Sequence, residues 1–167
     1  MENVEIKARC ADLAAMRRAV QAAGAVWERD IEQVDTYFSV RQGRLKLRRE
    51  DGGEEALIFY LRPNDDSPKL SRYELVRIAR DQPIAAMLER ALGVKTVVRK
   101  RRQLWRRDNI RIHLDEVEGL GTFIEFEVEV LPGRDLAGCR KQAGQLLEQL
   151  GLTPADLIAG SYSDLAG

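Results

Sequence analysis

The segment IRIHLDEVEGLGTFIEFEVEV, residues 110–130, alternates ionisable and apolar side chains on both sides of a glycine-containing turn. The ionisable positions in this alternation are Arg111, His113, Asp115, Glu125, Glu127 and Glu129. Successive side chains of a β-strand point to opposite faces, so a period of two predicts strands with one charged face and one apolar face. The segment therefore predicts two strands joined by a tight turn at residues 118–121.

The same alternation recurs in VEIKAR, residues 4–9, and in GRLKLRRE, residues 43–50. An antiparallel sheet with one face in water would also alternate, and this is the alternative interpretation for any single strand. On these charged faces, however, arginine dominates over lysine, and serine, threonine and glutamine are scarce. Because the planar guanidinium group suits phosphate oxygens, we predict that the charged faces converge on a polyanion and its metal ion.

Tight-turn signals at residues 41–43, 51–53, 107–109 and 118–121 separate about eight predicted strands. Residues 26–40 are expected to form a strand, a turn and a strand, and residues 62–71 a mobile loop. Three helical segments are predicted: 12–24 with Asp12 as its cap, 81–93 with Asp81, and 132–151 with Asp135. A short last helix is predicted after Thr153. The predicted fold class is α+β: an eight-stranded antiparallel barrel with a charged interior, covered outside by helices.

Composition limits the possible partners. The chain has 167 residues, with 27 lysines and arginines against 27 aspartates and glutamates, so a single domain spanning 1–167 with zero formal net charge is expected. Zero net charge disfavours a long nucleic acid as partner, and no apolar stretch approaches the roughly 20 residues of a membrane span. Isolated Cys10 and Cys139, with no signal-peptide pattern, make a reduced, cytoplasmic location the expectation. A monomer and a homodimer remain equally open.

Four motifs together resemble the CYTH superfamily, the triphosphate tunnel metalloenzymes that include class IV adenylate cyclases, thiamine triphosphatases and inorganic triphosphatases. The motifs are VEIKAR at 4–9, QVDTYF at 33–38, GRLKLRRE at 43–50 and HLDEVEGLGTFIEFEVEV at 113–130. The resemblance extends over nearly the whole chain. It implies an eight-stranded antiparallel tunnel, a small-molecule triphosphate substrate and a Mg²⁺ or Mn²⁺ requirement.

The resemblance also implies roles for individual residues. The family's N-terminal ExExK signature falls on Asn3, Glu5 and Lys7, so an amide replaces the first carboxylate. The implied metal ligands are Glu5, Asp115, Glu125 and Glu127, and the implied proton-transfer groups are Lys7 and Asp115. The implied triphosphate-binding residues are Lys7, Lys46, Arg48, Arg72, Lys100, Arg102 and Arg111, with Arg62 as a substitute in the segment YLRP. His113 is interpreted as a structural or rim residue rather than a general base.

Three functions remain open at this point. The first is a hydrolase of inorganic or organic triphosphates, and the second is a class IV adenylate cyclase that converts ATP to cyclic AMP and pyrophosphate. The third is a polyphosphate- or nucleotide-binding module without activity, which is favoured if Asn3 prevents productive metal binding. We favour the hydrolase because the sequence contains no base-recognising cluster and Asn3 weakens the case for two-metal chemistry.

Overall fold

The computed structural model describes residues 2–53, 55–61, 69–79 and 82–166. In these residues the strands are β1 Glu2–Arg9, β2 Val26–Phe38, β3 Arg44–Glu50, β4 Glu55–Leu61, β5 Lys69–Ile78, β6 Val94–Arg107, β7 Ile110–Val117 and β8 Gly121–Glu129. The α-helices are α1 Leu13–Ala22, α2 Ile84–Leu92, α3 Leu136–Gln149 and α4 Tyr162–Leu165, and a 3₁₀ turn spans Pro154–Asp156.

The eight strands of the described residues close into an antiparallel barrel in the order β1-β5-β4-β3-β2-β6-β7-β8. Most neighbours along the barrel are also consecutive along the chain, as expected for strands joined by tight turns. The closing contacts are made by β1, which pairs with β5 on one side and β8 on the other. The predicted fold, an eight-stranded barrel with helices outside, is confirmed.

The apolar faces of the strands point outward, where helices cover them. Ile6 lies opposite Phe126 in the β1–β8 ladder, and both are buried in a cluster that includes Val20 of α1 and Leu146 of α3. Burying an aliphatic or aromatic side chain of this size stabilises a fold by about 1.5–3 kcal/mol. The helices are therefore held against the outside of the barrel, and the charged faces are left to line its interior.

The helix ends follow the predicted capping residues. The Asp12 carboxylate accepts a hydrogen bond from the Ala15 amide at 2.9 Å, and Asp135 accepts one from Gly138 at 2.5 Å. Thr153 forms a capping box with Asp156, although it begins a 3₁₀ turn rather than an α-helix. The predicted cap Asp81 lies outside the described residues.

The structure differs from the predicted local structure at three places. Residues 26–38 form one continuous strand instead of a strand, turn and strand. This stretch contains no glycine or proline that would favour a turn. The register with β6 shifts at a bulge between Trp27 and Arg29, and the pairing of the two strands continues on both sides of it. Helix α4, which begins after Ser161 through a capping box with Asp164, was not predicted. Of the expected mobile loop, residues 62–68 lie outside the described part, and residues 69–71 belong to β5.

Among the described residues, no helix is both long enough and apolar enough to cross a membrane.

Candidate active site in the tunnel

The barrel encloses a cavity of about 260 Å³, referred to below as the tunnel, which side chains from all eight strands and from α4 line. Its cationic lining residues are Lys7, Arg29, Lys46, Arg48, Arg77, Lys100, Arg102 and Arg111. Its acidic lining residues are Glu5, Glu50, Glu125 and Glu127. The charged faces that the sequence placed on separate strands therefore meet around one enclosed space.

Asp35 of β2 is the anion around which one group of tunnel cations is arranged. Its carboxylate is 0% exposed and accepts two hydrogen bonds from Arg48 at 2.8 Å and one from Lys46 at 2.9 Å. The ammonium group of Lys100 lies 3.4 Å away. Burial would raise the pKa of Asp35, but Arg48, Lys46 and Lys100 outweigh it and hold that pKa well below its usual value. One carboxylate thus orients three cations from two other strands.

Sequence reasoning assigned Asp35 no role, although it quoted the segment QVDTYF. A usable signal was present, because Asp35 shares the inward face of β2 with Gln33 and Tyr37, both of which line the tunnel. The sequence did not show which cations from other strands contact Asp35. Lys100 is 65 positions further along the chain, and only the β2–β6 pairing brings it close.

Asp115, on the same inward face of β7 as His113, anchors a second group of side chains. Arg102 donates to both of its oxygens at 2.7 and 2.6 Å, and the Tyr162 hydroxyl donates to it at 2.7 Å. Burial would raise its pKa, but Arg102 and Lys100 lower it to about 2. Both oxygens of Asp115 hold Arg102 in position, and the expected roles of Asp115 in metal binding and proton transfer stay predictions.

The candidate metal site is formed by His113, Glu125 and Glu127, each of which offers one ligand atom within 4.8 Å of the others. Glu5 lies directly opposite Glu127 in the β1–β8 ladder and lines the same tunnel. Like charges placed opposite each other destabilise a ladder, so a cation between these carboxylates is favourable. Oxygen donors of this kind suit Mg²⁺ and Mn²⁺.

Asn3, in the position of the family's first carboxylate, is buried and lines the tunnel beside Glu5. Its side-chain oxygen has no hydrogen-bond partner among the described residues. A buried acceptor of this kind is costly unless a donor or a cation reaches it. The amide oxygen therefore fits a site that binds a metal ion or its coordinated water, and it supplies no negative charge.

The carboxylates of the candidate metal site are held by cations. Lys7 lies 2.7 Å from Glu125, and Arg111 lies 2.7 Å from Glu127. Burial would raise the pKa of Glu125, but Lys7, a hydrogen bond from His113 and Arg102 keep that pKa well below its usual value. Burial would likewise raise the pKa of Glu127, but the positive charge of Arg111 outweighs it and lowers that pKa below its usual value. Both side chains are consequently anionic and preoriented at neutral pH.

His113 is buried among these carboxylates and is not a rim residue. Its Nδ1 lies 3.2 Å from Glu125, while burial and the positive charge of Arg102 lower the pKa of the imidazole. A neutral imidazole beside a ligating carboxylate fixes the direction of that carboxylate. Sequence reasoning noted that His113 shares a face with Asp115 but did not place it at the metal site.

Two lysines of the tunnel are poised to gain charge. Burial and the nearby Arg102 lower the pKa of Lys100 to about 7, and burial and Arg48 lower the pKa of Lys46 to about 8. An anion placed among these side chains would favour their protonated forms. The cationic side of the tunnel is therefore stabilised by binding a polyanion.

Arg72 does not reach the tunnel. Its side chain is 69% exposed and pairs with Glu2 at 2.8 Å on the outside of the barrel. On β5 the inward face belongs to Ser71, Tyr73, Leu75 and Arg77, and the alternation of the strand sends Arg72 the other way. The expectation for Arg72 is corrected in favour of Arg77. Arg62, the expected substitute in the segment YLRP, lies outside the described residues.

Helix α4 contributes Tyr162 to the end of the tunnel at which β1 ends and β8 begins. The Tyr162 ring packs against Phe123, and the ammonium groups of Lys7 and Lys100 lie 4.0 and 5.0 Å from its centroid. Such cation–π contacts stabilise a desolvated ammonium group. Asp164, on the same helix, binds Arg44 of β3 at 2.6 Å and so fastens α4 to the barrel.

The inward faces of β4 and β5 differ from the rest of the tunnel. Their lining consists mainly of aliphatic and aromatic side chains: Ala56, Ile58, Tyr60, Tyr73 and Leu75. We call this surface the apolar wall. We call the opposing set the charged wall, which consists of Glu5, Lys7, Lys46, Arg48, Lys100, Arg102, Arg111, Glu125 and Glu127.

Two known proteins are similar to this chain in sequence over most of their length. A candidate adenylate cyclase of Methanocaldococcus jannaschii is 26% identical over 176 residues, which cover 100% of this chain and 99% of that protein. Adenylate cyclase CyaB of Aeromonas hydrophila is 29% identical over 98% of this chain and 87% of its own length.

Solved structures show the same fold. The PH1012 protein of Pyrococcus horikoshii superimposes with a TM-score of 0.84 at 24% identity, with 98% of each chain covered. An adenylyl cyclase candidate of Hippeastrum, described as having a dominant triphosphatase activity, has a TM-score of 0.65 at 17% identity over 98% of this chain and 93% of that one. The family model of the CYTH domain matches residues 1–162. This chain therefore belongs to the CYTH domain family.

Proposed function

We propose that the protein is a divalent-metal-dependent phosphohydrolase that acts on a triphosphate bound in the tunnel. The observation that carries this proposal is the meeting of two oppositely charged groups in one cavity of about 260 Å³. Lys46, Arg48 and Lys100 line it from β3 and β6, and Glu125 and Glu127 line it from β8. A cationic group next to a carboxylate group is what a metal-bound polyphosphate requires.

The cations are proposed to bind the phosphate chain. Arg48 and Arg102 present guanidinium groups whose positions are set by the buried carboxylates Asp35 and Asp115. A guanidinium group can donate two parallel hydrogen bonds to phosphate oxygens. A side chain that is already oriented before the ligand binds loses less conformational entropy on binding. Lys46 and Lys100 add point charges that can follow the phosphate chain.

Glu5, Glu125 and Glu127 would hold the metal ion, with Asn3 contributing an oxygen and His113 orienting Glu125. When bound, a divalent ion neutralises phosphate charge and lowers the pKa of a coordinated water. The residues of the chain would orient the terminal phosphate for in-line attack. Glu5, Lys7 and Glu125 are each 6 or 7% exposed, and charge interactions strengthen where little water is present.

Proton transfer is assigned to lysines. Lys100, whose pKa is lowered to about 7 in the free protein, would be protonated beside the bound triphosphate and can donate that proton to the product. Lys7, which is expected from the family resemblance to act here, lies 2.7 Å from Glu125 and can donate a proton to the departing diphosphate while that contact keeps it oriented. Both side chains line the tunnel, as a proton-transfer group must.

A second candidate function is adenylate cyclisation, which the names of the two relatives at 26% and 29% identity favour. Both reactions use the same phosphate-binding residues, but in the cyclase the ribose 3′-hydroxyl attacks the α-phosphate and pyrophosphate leaves. One fold can host either chemistry. We favour hydrolysis because Asn3 provides no charge for a second metal ion.

The purified protein incubated with Mg²⁺ or Mn²⁺ and, separately, ATP, thiamine triphosphate and inorganic tripolyphosphate tests the proposal. We expect release of inorganic phosphate that depends on the metal ion and stops in EDTA. Cyclic AMP and pyrophosphate from ATP would establish the cyclase instead. Tight binding of all substrates without any product would establish a binding module and overturn both catalytic assignments.

A further inference from the structure

We infer that the substrate is an organic triphosphate whose non-phosphate group binds against the apolar wall, in a subsite separate from the phosphate-binding residues. This inference rests on the proposed function and narrows it from triphosphates in general to those with an apolar substituent. It applies equally to hydrolysis and to cyclisation, because both begin with the same bound triphosphate.

The apolar wall is continuous. In the β4–β5 ladder Ile58 lies directly opposite Leu75, and Tyr60 lies directly opposite Tyr73. Side chains that face each other across a ladder have β-carbons about 4.5–5.5 Å apart, so the four form one surface. Ala56 extends this surface toward the level of Arg48, its partner in the β3–β4 ladder. The two walls therefore adjoin within a single cavity.

An inorganic triphosphate would not use this surface. It carries charged oxygens on every phosphate, and each one that is buried needs a cation or a hydrogen-bond donor. Ala56, Ile58 and Leu75 supply neither. A planar or aliphatic group would instead gain from contact with these side chains, because their apolar area leaves water on binding.

The wall is not simply the packed interior of the barrel. Leu75 lines the tunnel, yet its relative exposure is 38%, so apolar surface remains available for a ligand to cover. Ordinary core residues, such as Phe126 on the outer face of β8, are fully buried. An accessible aliphatic side chain in a concave site is typical of a small-molecule subsite.

Gln33 indicates a further property of the ligand. Its side chain lines the tunnel and is 3% exposed, and its amide nitrogen donates to Glu50 at 2.6 Å. This bond to a carboxylate identifies the nitrogen, so the amide oxygen is the atom left without a partner among the described residues. Phosphate oxygens at neutral pH are acceptors and cannot satisfy it. A hydroxyl or amino group on the organic part of the substrate could donate a hydrogen bond to this amide oxygen.

Equilibrium binding measured in EDTA, where metal-dependent turnover is blocked, tests the inference. The probes are ATP, GTP, thiamine triphosphate and inorganic tripolyphosphate, and the protein is the full chain. We expect at least one organic triphosphate to bind roughly tenfold or more tightly than tripolyphosphate, which corresponds to covering one large apolar side chain. Tripolyphosphate binding as tightly as every organic probe would overturn the inference, whatever any variant does.

Leu75→Gln and Val76→Gln form a matched pair of variants. Leu75 points into the tunnel, whereas the next residue on β5, Val76, points outward and is 60% exposed. We expect Leu75→Gln to weaken binding of the preferred organic triphosphate about tenfold and of tripolyphosphate less than about twofold. Val76→Gln should change neither. Equal weakening of all probes by Leu75→Gln would contradict the subsite.

Separate outcomes distinguish this inference from the proposed function. Organic preference without turnover in Mg²⁺ or Mn²⁺ would leave the apolar subsite standing and remove the hydrolase. Turnover of tripolyphosphate, together with equal affinity for tripolyphosphate and the organic probes, would support the hydrolase and overturn the apolar subsite. Absence of binding of any triphosphate would overturn both.

Discussion

The charged wall and the apolar wall line the same tunnel but are supported differently. Behind the charged wall, α1 and α3 pack on the outer faces of β1, β7 and β8, so that residues such as Ile6 and Ile112 are buried. On the outer face of β5, behind the apolar wall, Val76 is largely exposed. The side that must hold several charges in fixed positions is thus the side with a packed backing.

The two walls also differ in how their polar groups are satisfied. Asp35 and Asp115 are fully buried. Asp35 contacts three cations, and Asp115 accepts two hydrogen bonds from Arg102. Removing either carboxylate would leave positive charge without compensation in a confined space. The apolar wall needs no such counter-ions. The comparison shows that a charged tunnel depends on buried anions behind its cations as much as on the cations that face the ligand.

Substitution of the metal-site carboxylates should give the largest effect on the charged wall. In the double variant Glu125→Gln, Glu127→Gln we expect metal-dependent turnover to fall by about 10²–10³-fold or more, because transition-state charge loses its compensation. Glu116→Gln, on the exposed outer face of β7, is the matched control and should leave turnover unchanged. Steady-state phosphate release measures both. Full activity in the double variant would remove this metal assignment.

Asp35→Asn tests the anions behind the cations. Because Lys46, Arg48 and Lys100 would lose their shared counter-ion, we expect the free energy of unfolding to fall by about 3–5 kcal/mol in urea titrations. Tripolyphosphate should restore more stability to this variant than to the unaltered protein, since it supplies negative charge. Glu32→Gln, on the same strand but exposed, is the control. A loss no larger than that of Glu32→Gln would show that the cations do not depend on Asp35.

Affinity for triphosphate should depend on pH through the lowered pKa values of Lys100 and Lys46, about 7 and about 8. Above these values the free lysines are neutral, and a bound polyanion must draw protons onto them. Affinity should therefore fall as pH rises from 8 to 10, by up to about tenfold per pH unit for each lysine that takes up a proton.

Binding titrations in EDTA at several pH values measure this dependence. The Lys100→Arg variant stays charged over the whole range, so its pH slope should be shallower by the contribution of one proton. The groups that act on Lys100 are Asp35, Asp115, Arg48 and Arg102, and all four keep their charges above pH 8. Affinity that does not change between pH 8 and pH 10 would contradict the lowered lysine pKa values.

The smallest effect is expected outside the tunnel. Arg72→Gln removes an exposed ion pair with Glu2, which stabilises the protein by about 0–1 kcal/mol. We expect kcat/KM to stay within about twofold of the unaltered protein, whereas Arg77→Gln, on the inward face of the same strand, should lower it. A large loss of kcat/KM in Arg72→Gln would show that Arg72 does take part in phosphate binding.

Much of the barrel was predictable because its side chains alternate clearly. The segments that contain Lys7, Lys46 and Glu125 each place charges on one face, and the structure turns all three faces inward. Strand β5 was less clear, since SRYELVRI has polar residues on both faces. Whether Arg72 or Arg77 faces the tunnel depends on how β5 pairs with β1 and β4. The sequence of β5 alone does not specify that register.

By itself, the sequence determined the period-two strands, the capping residues Asp12 and Asp135, and the presence of a cationic and a carboxylate group on separate strands, because each depends on residues a few positions apart. Only the tertiary structure decided which charges pair. The β2–β6 pairing brings Asp35 close to Lys100, 65 positions away, and the packing of α4 brings Tyr162 to Asp115, 47 positions away. Electrostatic partners are selected by distance in space, and these distances are set only when elements far apart in the sequence have come together.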